Sequence, residues 1–154
     1  MNLSNLLSVE QIEFGYEAKS KKRTLERVAE LLSTGFPSAS AFAIAEGFFA
    51  RERLGSTGLG HGIALPHTRA EDATRPLAAF LRLAAPVDFD APDRQPVDIV
   101  VGLIVPKEAN DTHLQVLAHL ASLFQEPTTR EKLRNLRSPA KILDLLTRSP
   151  TTGG

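Results

Sequence analysis

Four histidines, at positions 61, 67, 113 and 119, are the side chains here best suited to nucleophilic or proton-transfer chemistry near neutral pH. The chain has no cysteine, which removes thiol nucleophiles, thiolate zinc sites and iron–sulfur clusters. Context separates the four. His67 follows Pro66 and a glycine-rich stretch in GSTGLGHGIALPHTR, so its backbone is held and its ring can be aimed. His61 sits among glycines and reads as merely exposed. His119 lies six positions beyond His113 in one helical pattern. That is about 240° around the axis, so the two cannot share a site and a surface or structural role is expected for His119.

The same stretch raises phosphate as a ligand, because successive backbone N–H groups can form an anion-binding concavity. Glycines at 55, 58, 60 and 62 are too closely spaced for a regular element and predict a loop that leads into a short extended run at 63–66. The common nucleotide fingerprints are absent. There is no GxxxxGK[ST], and GLGHGIA runs into extended chain instead of opening a helix. A zinc site built from His61, His67 and His113 lacks a fourth ligand and a general base, so neither metal nor cofactor is expected.

The elements that must position these residues are legible from periodicity. Leu25, Val28, Ala29, Leu31 and Leu32 predict a helix over 20–34, capped by Ser20 and stopped by Gly35 and Pro37. A second helix is predicted over 40–53, with Ala41, Ile44, Ala45 and Phe48 on one face, Gly55 as C-cap and Arg51 in its last turn. Leu77–Leu83 and Val97–Val105 read as strands, the second covered on both faces and ended by Pro106. The connection VDFDAPDRQP is expected to be exposed or a short edge hairpin, with solvating acids. A helix capped by Asp111 or Thr112 should bury Leu114, Leu117, Ala121 and Phe124, with His113 in its first turn. Thr128 and Glu131 suggest a capping box for a short helix through Leu136, and Ser138–Pro139 opens a last helix burying Ile142, Leu145 and Leu146. Interleaved strands and helices imply an α/β fold, a single three-layer domain over 1–150 with a small mixed sheet flanked by helices on both faces, and a frayed tail at 151–154.

At 154 residues the chain suits one domain, and 42% hydrophobic with 23% charged residues matches an ordinary globular composition. Its 18 basic and 18 acidic residues cancel, which argues against nucleic acid as a partner. The acid-rich segment 86–111 and the basic segment 130–148 read as solvated faces. No apolar run approaches a membrane span, and MNLSNLLSVEQIEF has no basic or apolar leader character, so a cytoplasmic location is expected.

LGSTGLGHGIALPH (54–67), with Arg51 in ARERLG and THLQVLAHLA (112–121) downstream, resembles the type-2 enzyme IIA family of the phosphoenolpyruvate-dependent phosphotransferase system. The resemblance runs from about Lys21 to Leu146 and is strongest to the nitrogen-type regulatory members. It implies a phosphocarrier with His67 as phosphoryl acceptor through Nε2, Arg51 as phosphate-binding arginine and His113 as second active-site histidine. Physical chemistry suits these roles: a neutral imidazole needs one nitrogen free and the other held by a hydrogen bond, and a guanidinium fork matches phosphate oxygens. The first turn of a helix favours a neutral His113 with an N–H to donate. Ser56, Thr57 and the backbone at Gly58 are further candidates for phosphate contacts, with local turn stabilisation as the alternative.

The resemblance implies a histidine-phosphorylated carrier as donor, and regulated proteins or a IIB protein as recipients. A IIB recipient would place the chain in fructose or mannitol uptake; a plain binding module with structural histidines is the rival of another class. Docking calls for an apolar surface around His67, for which Leu59, Ile63 and Leu65 are candidates, Ile63 also suiting the core. Oligomeric state is not legible.

Overall fold

A computed structural model describes residues 3–108 and 110–148, with backbone alone at Thr112 and His113. After a 3₁₀ turn at Val9–Gln11 come β1 (Ile12–Tyr16), α1 (Lys21–Gly35), α2 (Ala41–Glu52), β2 (Gly58–Gly60), β3 (Ile63–Ala64) and β4 (His67–Ala70). The chain continues through β5 (Leu77–Val87), β6 (Val97–Pro106), α3 (Asp111–Phe124), α4 (Pro127–Asn135) and α5 (Pro139–Thr147). The predicted tail at 151–154 lies outside the described residues.

The sheet runs β1-β5-β6-β3-β2, with β4 also pairing β6. β1 lies parallel to β5, β5 antiparallel to β6, and β3 and β4 parallel to β6. β6 divides the core because successive side chains leave a strand on opposite faces. Ile99, Val101, Leu103 and Val105 share a core with Val116, Leu120 and Phe124 of α3 and with α4 and α5. Val100 and Ile104 share the other with Leu25, Val28 and Leu32 of α1 and Ile44 and Phe48 of α2. This is the three-layer mixed α/β arrangement expected. At Gly102 a Cβ would run into the Val28 side chain, so α1 needs the glycine to approach β6.

The caps at Ser20 and Ser138 form as predicted, their hydroxyls accepting from Arg23 N–H at 3.0 Å and Lys141 N–H at 3.2 Å. Other expectations are corrected. The glycine stretch contains a strand, β2, because glycine tolerates extended backbone at a sheet edge. The N-terminal segment adds Leu3, Leu6 and Leu7 to the first of these cores, with the Leu6 carbonyl accepting Ala78 N–H of β5 at 2.8 Å, a role their spacing does not announce. The 87–96 connection is partly internal, Phe89 being fully buried; Asp93 accepts from the His61 and Gln95 amides, and Asp98 pairs with Arg134 at 3.0 Å. Those two acids therefore hold chain together beyond solvating it. α2 passes through Arg53 as C-cap, and Gly55 lies two residues later at φ 139°. Asp111 is the first residue of α3, not the cap before it, and Leu114 is 39% exposed. Pro127 sets the first turn of α4, so Thr128 lies inside the helix and Glu126 is its N-cap.

Candidate functional site

β3 and β4 are one extended segment in constant register along β6: Ile63 faces Ile99, Ala64 faces Val100 and His67 faces Leu103. Between them Leu65 N–H bonds the Thr57 carbonyl at 3.0 Å, and Leu103 N–H bonds the Pro66 carbonyl at 2.9 Å. The Leu65 carbonyl faces the His67 ring, with Nδ1 at 3.0 Å. A carbonyl only accepts, so the proton sits on Nδ1 and Nε2 carries the lone pair. Arg51 Nε approaches that nitrogen at 3.4 Å, while Arg51 Nη1 donates to the Gly55 carbonyl at 2.9 Å.

This meeting depends on where the neighbouring strand stops. β2 pairs β3 only as far as Gly58 opposite Ala64, so among the described residues β4 has β6 on one side and no strand on the other. Strand alternation puts His67 on the α3 face, and the open edge lets Arg51 reach it from α2 in the opposite layer. On the other face of β4, Thr68 lies so close to Gly47 of α2 that a Cβ there would strike its hydroxyl. His67 and Arg51 line a pocket of about 340 Å³ with Thr57, Leu59, Leu117 and Ala121. Leu54, Arg69 and Leu114 edge an adjoining depression. Of the three predicted docking residues, Leu59 and the buried Leu65 line the pocket and Ile63 belongs to the core, while Leu54, 84% exposed, and Leu114 edge the adjoining depression.

Ser56, Thr57 and Gly58 also line the pocket, with their donors engaged by the protein itself. The Ser56 hydroxyl donates to the Phe89 carbonyl at 2.9 Å and accepts from Gly58 N–H at 3.0 Å. Thr57 N–H and its hydroxyl both donate to the Glu52 carboxylate, which pairs with Lys21 Nζ at 2.8 Å. Neither Glu52 nor Lys21 stood out in the sequence. A usable signal exists, since a carboxylate in the last turn of a helix opposes the helix dipole and needs a reason to be there. The side chain of His113 lies outside the described residues; its backbone occupies the first turn of α3, as predicted.

The remaining histidines stay away from this pocket. His61 (φ 58°) and Gly62 (φ 81°) form the two-residue turn between β2 and β3, where both positive values match the right-handed strand twist. His119 of α3 has the Arg148 backbone carbonyl near its ring, and its Nε2 is buried with no hydrogen-bond partner among the described residues. Burial pushes its pKa below the usual histidine value, against the smaller opposing pull of that carbonyl. Among the described residues no three His, Asp or Glu side chains gather as a metal-ligand set, and no helix is long and apolar enough to cross a membrane.

Residues 5–149 match the family described as "Phosphoenolpyruvate-dependent sugar phosphotransferase system, EIIA 2". A nitrogen regulatory protein of Pseudomonas aeruginosa is 46% identical over 116 residues, 75% of each chain. The crystal structure of nitrogen regulatory protein IIA-Ntr from Neisseria meningitidis superposes with a TM-score of 0.89 at 40% identity, covering 94% of this chain and 99% of that one. The mannitol IIA enzyme of Escherichia coli, solved in complex with phosphorylated IIB, gives a TM-score of 0.74 at 25% identity, covering 92% and 98%.

Proposed function

Since the chain belongs to the EIIA 2 family of the phosphoenolpyruvate-dependent sugar phosphotransferase system, we propose that it is a nitrogen-type regulatory phosphocarrier charged on Nε2 of His67. The observation that carries this reading is the ring of His67, whose Nδ1–H is committed to the Leu65 carbonyl while Nε2 faces the pocket. The donor is a histidine-phosphorylated carrier protein. The Nε2 lone pair attacks phosphorus in line, the donor's N–P bond breaks, and its electron pair returns to the donor ring nitrogen. Nδ1 keeps its hydrogen bond throughout.

Arg51 stands where charge must be offset, its guanidinium exchanging Nε2 for phosphoryl oxygens as the group arrives. His113, opening α3, is the second donor toward those oxygens. Ser56, Thr57 and Gly58 shape the pocket wall, and the apolar rim at Leu54, Leu59 and Leu114 excludes water when the donor docks.

Incubation with phosphoenolpyruvate, enzyme I and the carrier, followed by mass spectrometry, tests the assignment. An acid-labile phosphate present in wild type and absent in His67→Ala is expected; an unlabelled wild type would refute it and leave the binding-module reading. The complex of mannitol IIA with phosphorylated IIB favours a second reading, onward transfer to a IIB protein. Loss of label on adding IIB and the sugar would establish that role, and label retained there supports the regulatory one.

A further inference from the structure

Beneath the glycine stretch, on the side away from the pocket, lies a charge the proposed mechanism does not use. The Glu52 side chain is only 6% exposed. Its two oxygens take Thr57 N–H at 3.2 and 3.3 Å, the Thr57 hydroxyl, and Lys21 Nζ at 2.8 Å. Lys21 rests 4.9 Å from the centre of the Phe89 ring, and the Phe89 carbonyl in turn receives the Ser56 hydroxyl. Burying a carboxylate is costly unless donors surround it, and here most of them come from one residue of the segment that borders His67.

The links continue to the acceptor ring. Thr57 is fixed through its N–H and hydroxyl, its carbonyl receives Leu65 N–H at 3.0 Å, and the Leu65 carbonyl receives His67 Nδ1–H at 3.0 Å. Arg51, which meets Nε2 of the same ring, is the residue immediately before Glu52 in α2. One helix terminus thus holds both nitrogens of His67, one directly and one through three hydrogen bonds.

We propose that Glu52 is a positioning residue for phosphoryl acceptance, anchoring Thr57 so that the Leu65 carbonyl keeps the His67 proton on Nδ1 and presents Nε2. This rests on the phosphocarrier reading above. Its test uses the full chain and two measurements: ¹⁵N chemical shifts of the His67 ring across pH, which report the tautomer, and the rate of phosphorylation by phosphoramidate and by the phosphorylated carrier. In Glu52→Ala the proton is expected to spread over both ring nitrogens, and both rates to fall roughly tenfold or more with the fold retained. Glu52→Gln restores the Nδ1–H tautomer and most of the rate, because its amide oxygen still accepts from Thr57. Thr57→Val removes one hydroxyl from the same network, shifts the tautomer in the same direction by less, and serves if Glu52→Ala does not fold. A wild-type tautomer ratio in folded Glu52→Ala, or in Thr57→Val where that variant alone folds, overturns the proposal. A wild type that neither donor labels overturns the phosphocarrier reading instead, and the ring shifts still decide the role of Glu52.

Discussion

His67 and His119 are two half-buried imidazoles, each near a main-chain group, the Leu65 carbonyl at 3.0 Å from Nδ1 for the first and the Arg148 backbone for the second. They part at the other nitrogen. Nε2 of His67 meets a guanidinium at the rim of an open pocket, whereas Nε2 of His119 is buried with no partner among the described residues. A buried ring beside a main-chain group is therefore not a site in itself. The sheet edge makes the difference: among the described residues β4 lacks a strand neighbour on one side, so an arginine from the opposite layer reaches around it.

The contrast is broken most directly at the guanidinium. Arg51→Ala should lower the rate of His67 phosphorylation by about 10²-fold or more, as removal of a charged transition-state donor does, with Arg51→Lys in between because a lysine lacks the planar fork. Quenched-flow labelling reads this. A rate unchanged in Arg51→Ala would make the two histidines differ only in exposure.

Gly47→Ala tests the strand that carries His67. Its methyl would strike Thr68, so β4 must shift, with an expected destabilisation of about 1–3 kcal/mol by denaturant unfolding and slower labelling of His67.

For His119 the prediction concerns pH. Its folded pKa lies below the ordinary histidine value of about 6.5, so the unfolded chain binds the proton more readily than the folded one. Its contribution to stability is thus complete above pH 6.5 and is lost as pH falls below that value. Melting temperatures between pH 7 and about 5 should decline less in His119→Leu than in wild type, the lower end following ordinary histidine titration. Equal slopes would remove His119 as a titrating group. The smallest effect is expected at His61, whose ring joins neither region: His61→Asn, better suited to φ 58°, should raise stability by about 0.5 kcal/mol, with labelling unchanged.

Much of this architecture was legible in the residues. The β-branched run at 97–105 marked a strand buried on both faces, and Ser20 and Ser138 announced their helices, because these signals are local. Proline before His67, preceded by glycines, marked the ring as held. The N-terminal segment is not legible in this way, since Leu3, Leu6 and Leu7 have no period of their own and gain meaning only beside β5. The capping box at Thr128 failed because Pro127 claims the first turn.

By itself, then, the sequence determined which residues carry chemistry: one histidine with a constrained backbone, one arginine in the last turn of a helix, and a family motif joining them. Only the tertiary structure decided that these meet, because their contact depends on where β2 ends and on which face of β4 each neighbour packs. It also decided what stands behind them. Glu52 is an ordinary surface-type residue in one dimension and a buried anchor in three, since a carboxylate's cost and its donors are both properties of the packed chain.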